Sequence, residues 1–213
     1  MKTFVVIGLG RFGQSVALNL SELGYDVLAI DKSQETIQSI SRRVTHAVIG
    51  DATDEAVLNS LGVRNFDTAV VAIGDNMEAS IMVTVLLKEL GVEQVVAKAQ
   101  NPLHATVLDK VGADMVVFPE IDMGERLAHR LAQSNILDYI EISPEYSIVE
   151  IALPESWVGR TIKNLDIRAK YGLNIIAIKS HNQINISPDP DERFEKDDII
   201  VVLGANDDLD KIH

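Results

Sequence analysis

Short apolar runs punctuate the first 118 residues, at 4–7, 27–30, 47–49, 68–72, 94–97 and 115–118. They are rich in Val and Ile, and they do not alternate with polar residues. Strands buried on both faces of a parallel sheet read this way. Between them, apolar positions recur at helical spacing over 14–23, 34–41, 55–61, 77–90 and 103–111. Gly24, Gly62, Gly91 and Gly112 follow four of these segments, where a left-handed C-cap is wanted. Repeated strand–helix units of this kind predict an α/β domain with an open, doubly wound parallel sheet. A further helix at about 122–134 closes it, so the first domain is expected to span 1–134.

The rhythm then changes. Residues 139–142 and 147–152 alternate polar and apolar positions, as half-solvated strands do. A short helix over 164–170 stops at Gly172, and apolar runs follow at 174–178 and 199–203. The stretch from Ser187 to Asp191, with Pro188 and Pro190, predicts a turn. A small α+β domain is expected over 135–213.

Composition narrows the functions available. With 213 residues, 46% hydrophobic and 24% charged, the chain is an ordinary globular one that can bury a sizeable core. The net charge of -13 argues against a nucleic-acid partner and against direct binding to anionic lipid. There is no cysteine, which removes disulfides, thiolate metal sites and thiol nucleophiles. No apolar run approaches the ~20 residues needed to span a bilayer. The start resembles a signal peptide only briefly, because its apolar stretch ends at Ile7 and Arg11 follows. A soluble, cytoplasmic protein is expected.

Gly8-Leu9-Gly10-Arg11-Phe12-Gly13 follows the first strand and opens the first helix, and Asp31 ends the second strand 18 residues beyond Gly13. That is the context of a dinucleotide-binding turn. Gly8 permits the turn, Gly10 lets phosphate approach the backbone, and Gly13 lets the helix pack on the strand. Asp31 is placed for a ribose hydroxyl pair and disfavours a 2′-phosphate. Arg11 can reach a terminal phosphate, in its own subunit or a neighbour's; a solvated arginine is the alternative. The remaining strand tips line the same crevice. Asp51, with Ala52, points to the ribose or adenine side. Thr53 and Asp54 read best as N-caps. Ile73, Gly74 and Asp75 follow the fourth strand, Lys98, Ala99 and Gln100 the fifth, and Glu120 the sixth. Lys98 and Glu120 can pair with each other or bracket phosphates and a metal ion.

Catalytic groups are harder to find. No tyrosine has a lysine four residues on, the five histidines lack metal-ligand spacing, and there is no GxSxG. An NAD-dependent oxidoreductase is therefore the second reading, behind a nucleotide-sensing module. A DNA-binding redox sensor, the third, lacks a basic segment.

GLGRFG, then ID at 30–31, GDATD at 50–54, VVAIGDN at 70–76, VVAKAQNPLH at 95–104 and GADMVVFPE at 112–120 together resemble the RCK domain (regulator of potassium conductance). The stretch at 159–179 resembles that family's C-terminal subdomain. Among its branches, the TrkA-like regulatory subunits of bacterial Ktr potassium uptake systems are most similar. The resemblance implies a Rossmann-like sheet followed by an RCK C-terminal subdomain. It implies a homodimer that assembles into a homo-octameric ring on the cytoplasmic face of a membrane-embedded potassium-translocating partner. ATP would activate and ADP inactivate, with NAD or NADH as a further possible ligand, and the chain would not be an enzyme. Gly8, Gly10 and Gly13 would hold phosphates, with Asp31, Lys32 and Ser33 at the ribose and Asp51 and Ala52 near the adenosine. Arg11 would sense the γ-phosphate across the dimer. Ile73, Gly74, Lys98 and His104 would line the rest. Glu120 would help hold a divalent or monovalent cation at the dimer interface; a first-turn helix acid is the alternative. The resemblance also implies a cyclic di-AMP site at Ile162, Lys163, Arg168, Asn174, Ile175 and Ile176. Asn-Ile-Ile serves equally well as strand core.

Overall fold

The computed structural model describes residues 2–132, 136–181 and 183–209. The chain divides into two compact units, Met1–Pro119 and Glu120–His213. The boundary expected at 134/135 lies outside the described residues.

In the first unit, strands β1 (Thr3–Ile7), β2 (Asp26–Asp31), β3 (His46–Ile49), β4 (Thr68–Val71), β5 (Gln94–Lys98) and β6 (Met115–Val117) form one parallel sheet. Its order is β3-β2-β1-β4-β5-β6, the doubly wound order whose direction reverses between β1 and β4. Helices α1 (Arg11–Glu22), α2 (Gln34–Ile40), α3 (Glu55–Ser60), α4 (Met77–Glu89) and α5 (Pro102–Lys110) connect the strands.

The unbroken apolar runs have a direct physical cause. Val5 and Ile7 of β1, with Leu28 and Ile30 of β2, enter a core closed by Leu58, Val83, Leu87 and Leu108 from α3, α4 and α5. Val6, Val27 and Ala29 point the other way, into a core closed by Ala17, Ile37 and Ile40 from α1 and α2. Both faces of the strands are covered, so neither series can be polar. Each buried Val, Leu or Ile among them contributes roughly 1.5–3 kcal/mol relative to exposure, and each alanine less. Helix starts are set by Ser33, Asp54, Asn76 and Asn101, whose side chains accept backbone N–H bonds. The four glycines read as C-caps all have positive φ.

Helix α6 (Pro119–Ala132) starts on the last residue of the first unit and runs on into the second; it begins three residues before the expected start, because proline suits a first helical turn. Strands β7 (Ile136–Ser143), β8 (Tyr146–Ala152), β9 (Asn174–Ser180), β10 (Gln183–Asn185) and β11 (Ile199–Ala205) form an antiparallel sheet in the order β10-β9-β11-β8-β7. Its buried face packs on Trp157, Leu165, Ile167, Leu173 and Phe194. The one helix expected over 164–170 is two, α7 (Ile162–Leu165) and α8 (Ile167–Tyr171), followed later by α9 (Asn206–Leu209). Asp166 between α7 and α8 has φ +50, a left-handed state that Asp tolerates better than most residues. Strand β10 was not expected: all three of its residues are exposed, so no burial pattern marks it.

Candidate functional site

The site forms where the strand order reverses, outside the carboxyl ends of β1 and β4. Gly8 has φ +87, and a Cβ there would stand 3.0 Å from the Ile73 nitrogen, so the turn after β1 closes tightly against the tip of β4. Gly13 lies one helical turn further on. A Cβ at that position would run into the carbonyl oxygen of Gly8. Gly10 differs: nothing lies within 4 Å of where its Cβ would be. It is the N-cap of α1, with no side-chain cap and no acid in the first turn. The first N–H groups of α1 therefore have no side-chain cap and the space beside Gly10 is open, while α2, α3, α4 and α5 are closed by their own caps. That donor set fits an anion such as a phosphate. Arg11 is exposed at the first position of α1, beside half-buried Phe12.

Asp31 braces this loop. One carboxylate oxygen accepts the Leu9 N–H at 2.6 Å, and the other accepts the Ser33 N–H at 2.8 Å. Each oxygen keeps a second lone pair, so a ribose hydroxyl can still be received. The tip of β2 is tied to the tip of β3 by Lys32 Nζ and Asp51 Oδ2, 3.0 Å apart. The other oxygen of Asp51 accepts the Thr53 N–H at 2.9 Å and its hydroxyl at 2.6 Å. The Thr53 bonds, reinforced by Lys32, lower the Asp51 carboxyl to about 2. Asp54 caps α3, as expected. Thr53 does not cap; it anchors Asp51, and sequence reasoning missed that role although Asp-x-Thr spacing permits it. Ala52 is buried beneath this loop.

On the far side, Gln100 donates from its side chain to the Gly74 carbonyl, clasping the loops after β5 and β4. Lys98 Nζ lies 3.3 Å from where a Gly74 Cβ would be, so its ammonium sits over that loop. Asp75 and Gln100 are exposed, and Ala99 is buried. His104 corrects one expectation. It is fully buried, so it does not line an open surface. Its Nδ1 accepts the Gln100 N–H at 3.3 Å, which places it behind the clasp. Burial lowers its pKa below the ordinary 6.5.

In the second unit, Ile162 and Ile175 are half-buried and pack against the core, as strand and helix core residues do. Ile176 is also half-buried, at an irregularity of β9 where the pairing with β11 shifts register. Arg168 on α8 and Asn174 at the start of β9 are exposed. Lys163 Nζ stands 3.8 Å from Asp191 in an exposed pair. Among the described residues, no group of three or more His, Asp or Glu side chains is placed to hold a metal ion. No described helix is long and apolar enough to cross a membrane.

Residues 4–119 match the TrkA-N domain model, and residues 147–213 match the TrkA-C domain model. The chain belongs to the TrkA/Ktr family of RCK-domain proteins. Within this family it is 49% identical to Ktr system potassium uptake protein C of Bacillus subtilis, over 99% of this chain and 95% of that one. It is 46% identical to Ktr system potassium uptake protein A of the same organism, over 98% and 94%. Among solved structures, the GsuK channel superposes with a TM-score of 0.71 at 19% identity, over 98% of this TrkA/Ktr-family chain but only 38% of that one. At that identity the likeness shows the fold alone.

Proposed function

We propose that this chain is a cytoplasmic nucleotide-sensing subunit that gates a membrane-embedded Ktr-type potassium-translocating partner, with ATP activating and ADP inactivating. The observation that carries the reading is the uncapped N-terminus of α1 at Gly10, open to an anion, in a chain nearly half identical to a Ktr potassium uptake protein along its whole length. A bound nucleotide supplies the charge that distinguishes the two states. The backbone N–H groups around Gly10 hold the phosphates, Asp31 receives the ribose, and Lys98 lies over the opposite loop.

Two nucleotides that differ by one phosphate move an equilibrium only if two shapes of the assembly bind them differently. Arg11 supplies the difference as a charge-assisted bond that only the triphosphate receives. A shift from 1:99 to 99:1 needs about 5.5 kcal/mol of differential binding. One such bond contributes less, so repetition in a homodimer and then a homo-octameric ring is part of the proposal. Glu120 would contribute one carboxylate to a cation shared between subunits, with phosphate and partner groups completing the set. Cyclic di-AMP would inhibit through the second unit, where exposed Arg168 suits a phosphate and exposed Asn174 an adenine edge.

The test is a binding titration of ATP and ADP. Arg11→Ala should narrow the affinity gap between them, and unchanged discrimination would remove Arg11 from the mechanism. A thermal-shift panel of ATP, ADP, NAD, NADH, NADPH and cyclic di-AMP separates this regulator from an NAD-dependent oxidoreductase. The regulator prefers adenine nucleotides without turnover, whereas the oxidoreductase prefers NAD(H) and changes absorbance with a carbonyl substrate.

A further inference from the structure

The tips of β2 and β3 carry a pairing that the nucleotide reading does not require. Asp31 and Ile49 are opposite each other at the ends of these parallel strands, so Lys32 and Asp51 stand together just beyond them. In a doubly wound sheet, the acid at the end of β2 marks the ribose, and a cation close by is what accommodates a 2′-phosphate. Lys32, next in the chain after Asp31, is suited by position to that task. It is engaged instead: its Nζ lies 3.0 Å from Asp51 Oδ2. Asp51 is held in that orientation by Thr53, whose N–H and hydroxyl both bond to Oδ1.

We propose that Asp51 is a specificity-positioning residue that draws Lys32 away from the ribose 2′ position, so that the site excludes adenosine nucleotides carrying a 2′-phosphate. The inference rests on the nucleotide reading above. An exposed lysine–carboxylate pair is usually weak, because two flexible side chains must be fixed and water screens them. Here Thr53 has already fixed one partner, so forming the pair restricts only Lys32. The pair also leaves two carboxylates, Asp31 and Asp51, at the edge that a 2′-phosphate dianion would approach, and both repel it.

Asp51→Asn isolates the effect. An asparagine Oδ1 can still accept both Thr53 bonds, so the loop keeps its geometry while the charge that engages Lys32 is removed. The measurement is displacement calorimetry with ADP as the reporter ligand, comparing adenosine 5′-monophosphate with adenosine 2′,5′-bisphosphate as competitors. The ratio of their affinities is read, so any loss common to both cancels. In the native chain the 2′-phosphate should weaken binding. In Asp51→Asn the ratio should move toward the bisphosphate by about two- to fivefold. Adding Lys32→Ala should take back at least half of that gain, which a merely structural role for Asp51 would not do. An unchanged ratio in Asp51→Asn, with ADP still bound, overturns the inference alone. A gain fully kept without Lys32 also overturns it. Failure of the native chain to bind ADP overturns the nucleotide reading and the inference together.

Discussion

Gly10 and Gly13 lie three residues apart in one motif, yet alanine should act on them in opposite ways. At Gly13 a Cβ meets the Gly8 carbonyl oxygen, a backbone atom that no rotamer change can move aside. Relief requires α1 to shift from β1. Overpacking of this kind costs about 3 kcal/mol at its upper end, and alanine inside a helix returns about 1 kcal/mol relative to glycine. The net loss is about 2 kcal/mol, or about 1 M in a urea midpoint when the denaturant slope is about 2 kcal/mol/M. At Gly10 nothing lies within 4 Å, and φ −64, ψ −174 is open to any residue. The entropy lost from the unfolded chain favours alanine by about 0.4–1 kcal/mol, and the poorer N-cap offsets a similar amount. The Gly10→Ala midpoint should therefore stay within about 0.3 M of native. Its methyl group, however, occupies the space before the N-terminus of α1, so adenine nucleotide affinity should fall at least about tenfold. Far-UV circular dichroism in urea reads the first effect, and the fluorescence of Trp157 gives a separate signal from the second unit. A native midpoint for Gly13→Ala would refute the packing argument. Native nucleotide affinity in Gly10→Ala would refute the anion cradle.

Other consequences can be measured directly. Burial lowers the pKa of His104 in the folded chain, so the unfolded chain takes up a proton more readily as pH falls below about 6.5. Stability should therefore fall as pH drops through and below 6.5, and urea midpoints at about pH 5 and 7 should differ less in His104→Gln. Gly204 in β11 has Leu173 pressed onto it, so Gly204→Ala should lower the midpoint read by Trp157 by about 0.5–1.5 M in urea; no shift would mean that Leu173 moves aside freely. Arg168→Ala should abolish cyclic di-AMP binding in calorimetry, and retained affinity would remove the proposed site from α8. Asp51 is held at about 2, so the stability it adds should be present above its ordinary 3.8 and be lost as pH falls from there toward 2.

Sequence alone determined the features that depend on local periodicity and backbone conformation. Val5, Ile7, Leu28 and Ile30 alternate with Val6, Val27 and Ala29, and all are apolar, so the sheet had to be covered on both sides. Gly24, Gly62, Gly91 and Gly112 stood at helix ends because a left-handed residue is least costly as glycine. The turn at Gly8 and the close packing at Gly13 could be assigned from spacing, since each needs a missing Cβ at a fixed step. The tertiary structure decided everything that depends on residues far apart in the chain. The bond from Leu9 to Asp31 and the pairing of Lys32 with Asp51 arise because β2 lies between β1 and β3, and no local pattern encodes that neighbourhood. His104 sat among pocket residues by position, but the packing of α5 buried it behind Gln100. The break at Asp166 and the exposed strand β10 lack any burial periodicity, so nothing short of the folded chain reveals them. Periodicity records which side of an element is covered; which partner covers it depends on the order in which the strands lie in the sheet.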